Sequence, residues 1–148
     1  MGNRTRGLEI GFADLPRLIG RDLGVSPWVE ADVPMIDGFA QVTAGAGARR
    51  QSSGTAYLAL SLLPRLADPL LSVSGLAHKV NYGLNEVRFL APLTPGNKVR
   101  LRQKVTAAEA KREQFLLTFL TTFERREGET DAATVICTAE SLVLFVPE

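Results

Sequence analysis

The chain has 148 residues, 45% of them hydrophobic, a mean hydropathy of +0.06, and 17 basic against 16 acidic side chains for a formal charge of +1. A near-neutral chain with no run of Lys or Arg longer than two lacks the basic stripe of a nucleic-acid binder. One cysteine and one histidine, Cys137 and His78, cannot between them supply the three or four ligands of a zinc site. A chain of this size buries about two thirds of its unfolded surface, enough for a single domain over 1–148 without disulfide or metal. The most apolar stretch, Tyr57 to Val73, is broken by Pro64, Arg65, Asp68 and Pro69 and so does not cross a membrane. Met1 to Arg6 is not followed by the apolar run of a secretory signal, and the expected location is cytoplasmic.

In chain order, Leu15, Leu18, Ile19 and Leu23 recur at helical spacing and predict an amphipathic helix from Phe12 to Leu23, stopped by Gly24. Asp32 is placed to cap a second helix that ends near Thr43, with Pro34 in its first turn and Met35, Ile36, Phe39 and Ala40 as its buried face. Ala44 to Gly54, small and glycine-rich, has no periodicity and reads as a loop. A third helix from Thr55 to Leu66, capped by Ser52 or Ser53, is apolar nearly all round, as a helix buried inside a fold would be.

The second half changes period. Val80 to Phe89, Lys98 to Ala107, Gln114 to Glu124 and Ala132 to Val146 read as long strands, joined at Pro92 to Gly96, around Ala110, and at Glu127 to Glu129. Phe115, Leu117, Phe119, Thr121 and Phe123 share one face, as do Val99, Leu101 and Val105. In the last strand Val135, Cys137, Ala139, Leu142 and Leu144 carry the apolar load, which predicts a bulge near Ser141 where the alternation shifts. Short connections favour antiparallel neighbours. The expected architecture is α+β, a curved antiparallel sheet wrapped around a long central helix.

Three stretches carry a family likeness: Val80-Asn81-Tyr82-Gly83-Leu84-Asn85-Glu86-Val87-Arg88-Phe89 with its Pro92 to Gly96 turn, Trp28 to Thr43 with Met35-Ile36-Asp37-Gly38-Phe39-Ala40, and Tyr57 to Pro64. The chain resembles the MaoC-like dehydratases, specifically the branch containing nodulation protein N. The resemblance implies the hotdog fold, subunits paired through their sheet edges as homodimers or hetero-oligomers, and hydratase or dehydratase chemistry on acyl thioesters carried by coenzyme A or a carrier protein. It implies no metal or redox cofactor. In that family an Asp and a His, in a Gly-Asp-x-x-x-x-His motif after the second helix, handle the water and the α-proton. Backbone N–H groups at the start of the central helix receive the thioester oxygen as it gains negative charge.

This sequence departs from that pattern where the chemistry resides. The expected Asp falls on Gly45, no histidine precedes His78, and the interval from Thr43 to Tyr57 is roughly a dozen residues short of the resembled pattern. The Ala-His-Gly that precedes the helix aromatic is here Gly54-Thr55-Ala56. Substrate-binding candidates are Gly54, Thr55 and Ala56 at the helix start, and Asn81, Tyr82 and Gly83 on the adjacent strand. Tyr82, Asn81 and Ser53 are the substitute candidates for catalysis. Each has a structural alternative: a plain capping sequence for Ser52 to Thr55, packing for Tyr82, a backbone hydrogen bond for Asn81. His78 reads as a surface or structural residue, Cys137 as core, Asp37 as solvated, and Arg49-Arg50 as either a solvated loop pair or a phosphate contact. Three functions follow: a repurposed enzyme, a non-catalytic subunit paired with an active homologue, and a dehydratase with substitute groups.

Overall fold

The structure, a computed structural model, describes residues 6–43, 52–129 and 132–148, with backbone alone at 52–54. Gly45 and the Arg49-Arg50 pair therefore lie outside the described residues. The chain begins with β1 (Leu8–Gly11), a 3₁₀ turn over Phe12–Leu18, β2 (Asp22–Val25) and β3 (Val29–Glu30). The expected helix from Phe12 to Leu23 is thus only half helical. Pro16 has no N–H for a helical ladder, and Gly20 turns the chain at φ +85°, a conformation that costs other residues a steric penalty. Leu15 and Leu18 are buried as their spacing required.

Helix α1 (Val33–Thr43) follows the sequence reading: Asp32 Oδ1 accepts the Met35 N–H at 2.9 Å as its cap, and Ile36 is buried. The central helix comes as two pieces, α2 (Ser52–Ser61) and α3 (Leu63–Ala67). The break falls at Leu62, because Pro64 has no N–H to continue the ladder and fits in the first turn of α3. α2 buries Ala56, Leu58 and Ala59 but leaves Tyr57 58% exposed, so one side of this apolar helix is uncovered within a single chain.

After a 3₁₀ turn at Asp68–Leu70, β4 (Leu71–Ser74) pairs parallel with β1, a two-stranded unit with no clear signal in the sequence. The long strands are β5 (Leu76–Phe89), β6 (Lys98–Lys111), β7 (Gln114–Arg126) and β8 (Thr134–Pro147). Their order is β2-β6-β7-β8-β5, antiparallel throughout, with β3 also pairing β6. The β6 to β7 turn falls at Arg112, at φ +57°, rather than around Ala110, and β6 is correspondingly longer.

The bulge expected at Ser141 is elsewhere. Cys137, Ala139, Ser141 and Phe145 keep one inward phase, and Ser141 is buried. The extra residue in β8 is Ile136, between the pairs Phe123 with Cys137 and Glu124 with Val135. Beside Ser141 the irregularity belongs to β5, where Tyr82 has no partner between Asn81 with Val143 and Gly83 with Leu142. The sequence pattern misled because a serine was read as an outward residue.

The inward face of the sheet packs in two apolar clusters. One gathers Leu58, Ala59, Leu66, Leu101, Phe123 and Cys137 beneath the central helix. The other gathers Leu15, Leu18, Val105, Leu117, Phe119 and Phe145 beneath the 3₁₀ turn. Residues 103, 121 and 141 lie between them and are polar.

Candidate functional site

Two places on the helix-facing side of the sheet hold the residues that could act on a ligand. The first is the start of α2. The first N–H groups of a helix have no acceptor inside it and form its positive end. Thr55 is tied down there: its Oγ1 accepts the Leu93 N–H at 3.0 Å, pinning the Pro92 to Gly96 connection to the helix. Arg125 Nη1 donates to the Pro92 carbonyl and fixes the same connection from β7. Ala56 is buried, and the Tyr57 ring is 4.6 Å from the Phe89 ring at the end of β5. Ser53 and Gly54 are the second and third residues of α2 in backbone, and the Ser53 side chain lies outside the described atoms.

The second place is mid-sheet. Gln103 on β6, Thr121 on β7 and Ser141 on β8 are 4%, 0% and 1% exposed. Gln103 Nε2 donates to Thr121 Oγ1 at 3.1 Å, and Thr121 Oγ1 is 2.9 Å from Ser141 Oγ, with either hydroxyl able to donate. Burying such groups is costly unless they bond, and here each finds a partner on the next strand. The row opens toward β5 at two adjoining cavities that share Leu63, Pro64, Asn81 and Val143. The one of about 210 Å³ includes Gln103, and the one of about 420 Å³ includes Ser141. None of the three is among the site candidates read from the sequence. The available signal was phase, since each occupies an inward position of a strand whose other inward residues are apolar.

The structure separates the three β5 candidates. Asn81 faces the helix and both cavities, whereas Tyr82, 58% exposed, lies on the opposite side against Glu109 to Gln114 and Leu144. Gly83 lines the larger cavity, and a Cβ there would meet Leu142 Cδ1 at 3.7 Å, an ordinary contact. Asn81 and Gly83 thus lie near one another, and Tyr82 is not with them.

His78 is exposed near the start of β5, paired with Val146, while the start of α2 adjoins Phe89 at the strand's other end. Eleven residues of strand separate the two ends, on the order of 30 Å. Cys137 is fully buried, and that burial pushes its thiol up to about 11, so it stays protonated and unreactive at neutral pH. Asp37 is half-buried on α1 rather than solvated. Among the described residues no three His, Cys, Asp or Glu side chains gather as a metal site, and no helix is long and apolar enough to cross a membrane.

Comparison with known proteins bears on this arrangement. No family model matches the chain. The 3-hydroxyacyl-thioester dehydratase Z of Mycobacterium tuberculosis is 32% identical over 146 residues, covering 90% of this chain and 95% of that protein. Nodulation protein N of Rhizobium leguminosarum bv. viciae is 31% identical over 124 residues, covering 74% and 77%. Among solved structures, a MaoC-like dehydratase from Rhodospirillum rubrum superposes with a TM-score of 0.64 at 17% identity, over 88% of this chain and 93% of that one. A Mycobacterium tuberculosis protein with a double hotdog fold matches 88% of this chain with 40% of its own, at a TM-score of 0.54 and 14% identity. The helix packed on a curved antiparallel sheet is the hotdog fold, and the chain belongs to the MaoC-like hydratase and dehydratase family, alongside 3-hydroxyacyl-thioester dehydratase Z and nodulation protein N.

Proposed function

We propose that this protein holds an acyl thioester, or a related biosynthetic intermediate, between the central helix and the sheet, and that it does not hydrate double bonds by the Asp and His route. The observation that carries the reading is the position of the only histidine. His78 is exposed at the end of β5 remote from the start of α2, where a base would have to act on a thioester held by the helix N–H groups. The alignment supports an internal deletion. Nine-tenths of 148 residues is about 133, set against 146 aligned positions, so about a dozen positions of the Mycobacterium relative have no counterpart here. A loss of that size between Thr43 and Tyr57 would take the usual catalytic loop with it. What is left is the anion-receptive start of α2 and the neutral polar groups around Asn81, a set suited to binding and orienting a carbonyl compound. The reading places the protein in the cytoplasm as a single domain over 1–148.

A second reading, a non-catalytic subunit paired with an active homologue, draws on the surface of β5. Val80, Tyr82, Leu84 and Phe89 are all exposed on an edge strand of fourteen residues, and Tyr57 is exposed beside Phe89. Such an edge calls for a partner strand, and a second copy of this chain supplies a self-complementary one. We take the homodimer as the assembly.

Hydration of a crotonyl thioester by purified protein tests the function. One missing acid–base group lowers rates by about 10²–10⁴-fold, so with both absent turnover is expected at or near background. Turnover like that of an ordinary hydratase would overturn the reading. Thermal stabilisation by a saturated acyl thioester is expected in the same preparation. A protein that is stabilised only on mixing with a full-length homologue would favour the partner-subunit reading.

A further inference from the structure

We propose that the buried polar row Gln103, Thr121 and Ser141, with Asn81 at its open end, is a subsite for an uncharged hydrogen-bonding group, a hydroxyl or a ketone, on the remote part of an acyl chain. This rests on the acyl-thioester reading above and specifies which acyl chains the site selects.

Packing alone does not account for the row. It divides the interior into two apolar clusters, and a Leu or Val at any of its three inward positions would continue them. Within the row the bonding is incomplete on the side that faces the cavities. Gln103 uses its amide N–H on Thr121, and no described residue donates to its carbonyl oxygen. Gln103 is 4% exposed and lines the smaller cavity. Asn81, which lines both cavities, makes no side-chain hydrogen bond among the described residues. An acceptor on Gln103 and both a donor and an acceptor on Asn81 therefore converge on one space.

The charges around that space explain why the guest is neutral. Among the described residues the only charged ones lining the smaller cavity are Asp68 and Lys79, 3.9 Å apart, and the larger cavity is lined by none. No net charge is left to hold an anion or a cation. The walls, Leu60, Leu63, Pro64 and Val143, suit a hydrocarbon chain. Distance explains why the polar group is remote from the thioester. From Thr55 at the start of α2 to Ser61 at the larger cavity the helix advances roughly 9 Å, at about 1.5 Å per residue.

The test compares decanoyl-pantetheine with ω-hydroxydecanoyl-pantetheine, both saturated, by titration calorimetry against the full chain. The hydroxylated thioester is expected to bind at least about tenfold more tightly, because a site built around hydrogen-bonding groups discriminates against the analogue that leaves them unpaired. Asn81→Leu, at an exposed strand position, is expected to reduce the preference, read as the ratio of the two dissociation constants, to about twofold or less. Gln103→Leu should do the same, and circular dichroism establishes that each variant is folded. Equal binding of the two probes by the unaltered protein overturns this inference and leaves the acyl-thioester reading standing. Failure of both probes to bind overturns the two together. A preference that survives Asn81→Leu and Gln103→Leu also overturns the assignment, since the selecting group would then lie elsewhere.

Discussion

At one side of the long sheet β6 is covered from within the chain, while at the other β5 is bare. β2 and β3 pair with β6 over four and two residues, too short to template a foreign strand. Between them Ser26 fills the gap: its N–H donates to the Leu101 carbonyl at 2.8 Å and its Oγ accepts the Leu101 N–H at 3.0 Å. Trp28 then lies against the guanidinium groups of Arg100 and Arg126, 4.3 and 4.4 Å from its ring, and Arg100 is held by Glu124 at 2.8 Å. Among the described residues β5 has no such cover over its fourteen residues and presents Val80, Tyr82 and Leu84 to solvent. The chain blocks one edge with Ser26 and two short strands and leaves a longer apolar one open, and that open edge is where the proposed homodimer would join.

That contrast can be broken at either side. Leu101 is fully buried behind the closed edge, and Leu101→Ala is expected to cost about 2–5 kcal/mol of unfolding free energy in urea titrations, by cavity formation under Ser26. At the open edge, Val80→Lys combined with Tyr82→Glu should raise the dissociation constant of the homodimer about a hundredfold, which is roughly 2.7 kcal/mol. Light scattering would then report the 16.0 kDa single chain with unchanged circular dichroism. A dimer that survives both substitutions would mean that β5 is not the joined edge. Trp28→Ala removes two cation–π contacts and is expected to destabilise the chain by about 1–2 kcal/mol without altering its mass in solution. Ser26→Ala, the mildest change, leaves the buried Leu101 N–H unpaired and should cost about 1 kcal/mol, read as a shift of the urea midpoint at constant slope.

The same asymmetry separates what the sequence disclosed from what it hid. The period-two runs of β6 and β7 were plain because each alternates cleanly, from Val99 and Leu101 to Phe119 and Phe123. The Asp32 cap and Pro34 marked α1 because capping is a property of adjacent residues. Leu15 to Leu23 kept helical spacing but not a helix, since Pro16 and the left-handed Gly20 outweighed it. β1 and β4 pair across more than sixty residues and are four residues each, too short to show a period.

For the site, residue types at the start of the central helix were legible and their arrangement was not. The chain alone determined the fold class and the lone histidine, because these depend on residue identity and local periodicity. Only the tertiary structure decided that, of the neighbours Asn81 and Tyr82, Asn81 is the one facing the helix and its cavities. It alone brought Gln103, Thr121 and Ser141, separated by 18 and 20 residues, into one hydrogen-bonded row. The physical reason is register. A single-residue offset between neighbouring strands sets which side chains meet across a sheet, and that offset is fixed by the packing of distant segments rather than by the neighbours of any one residue.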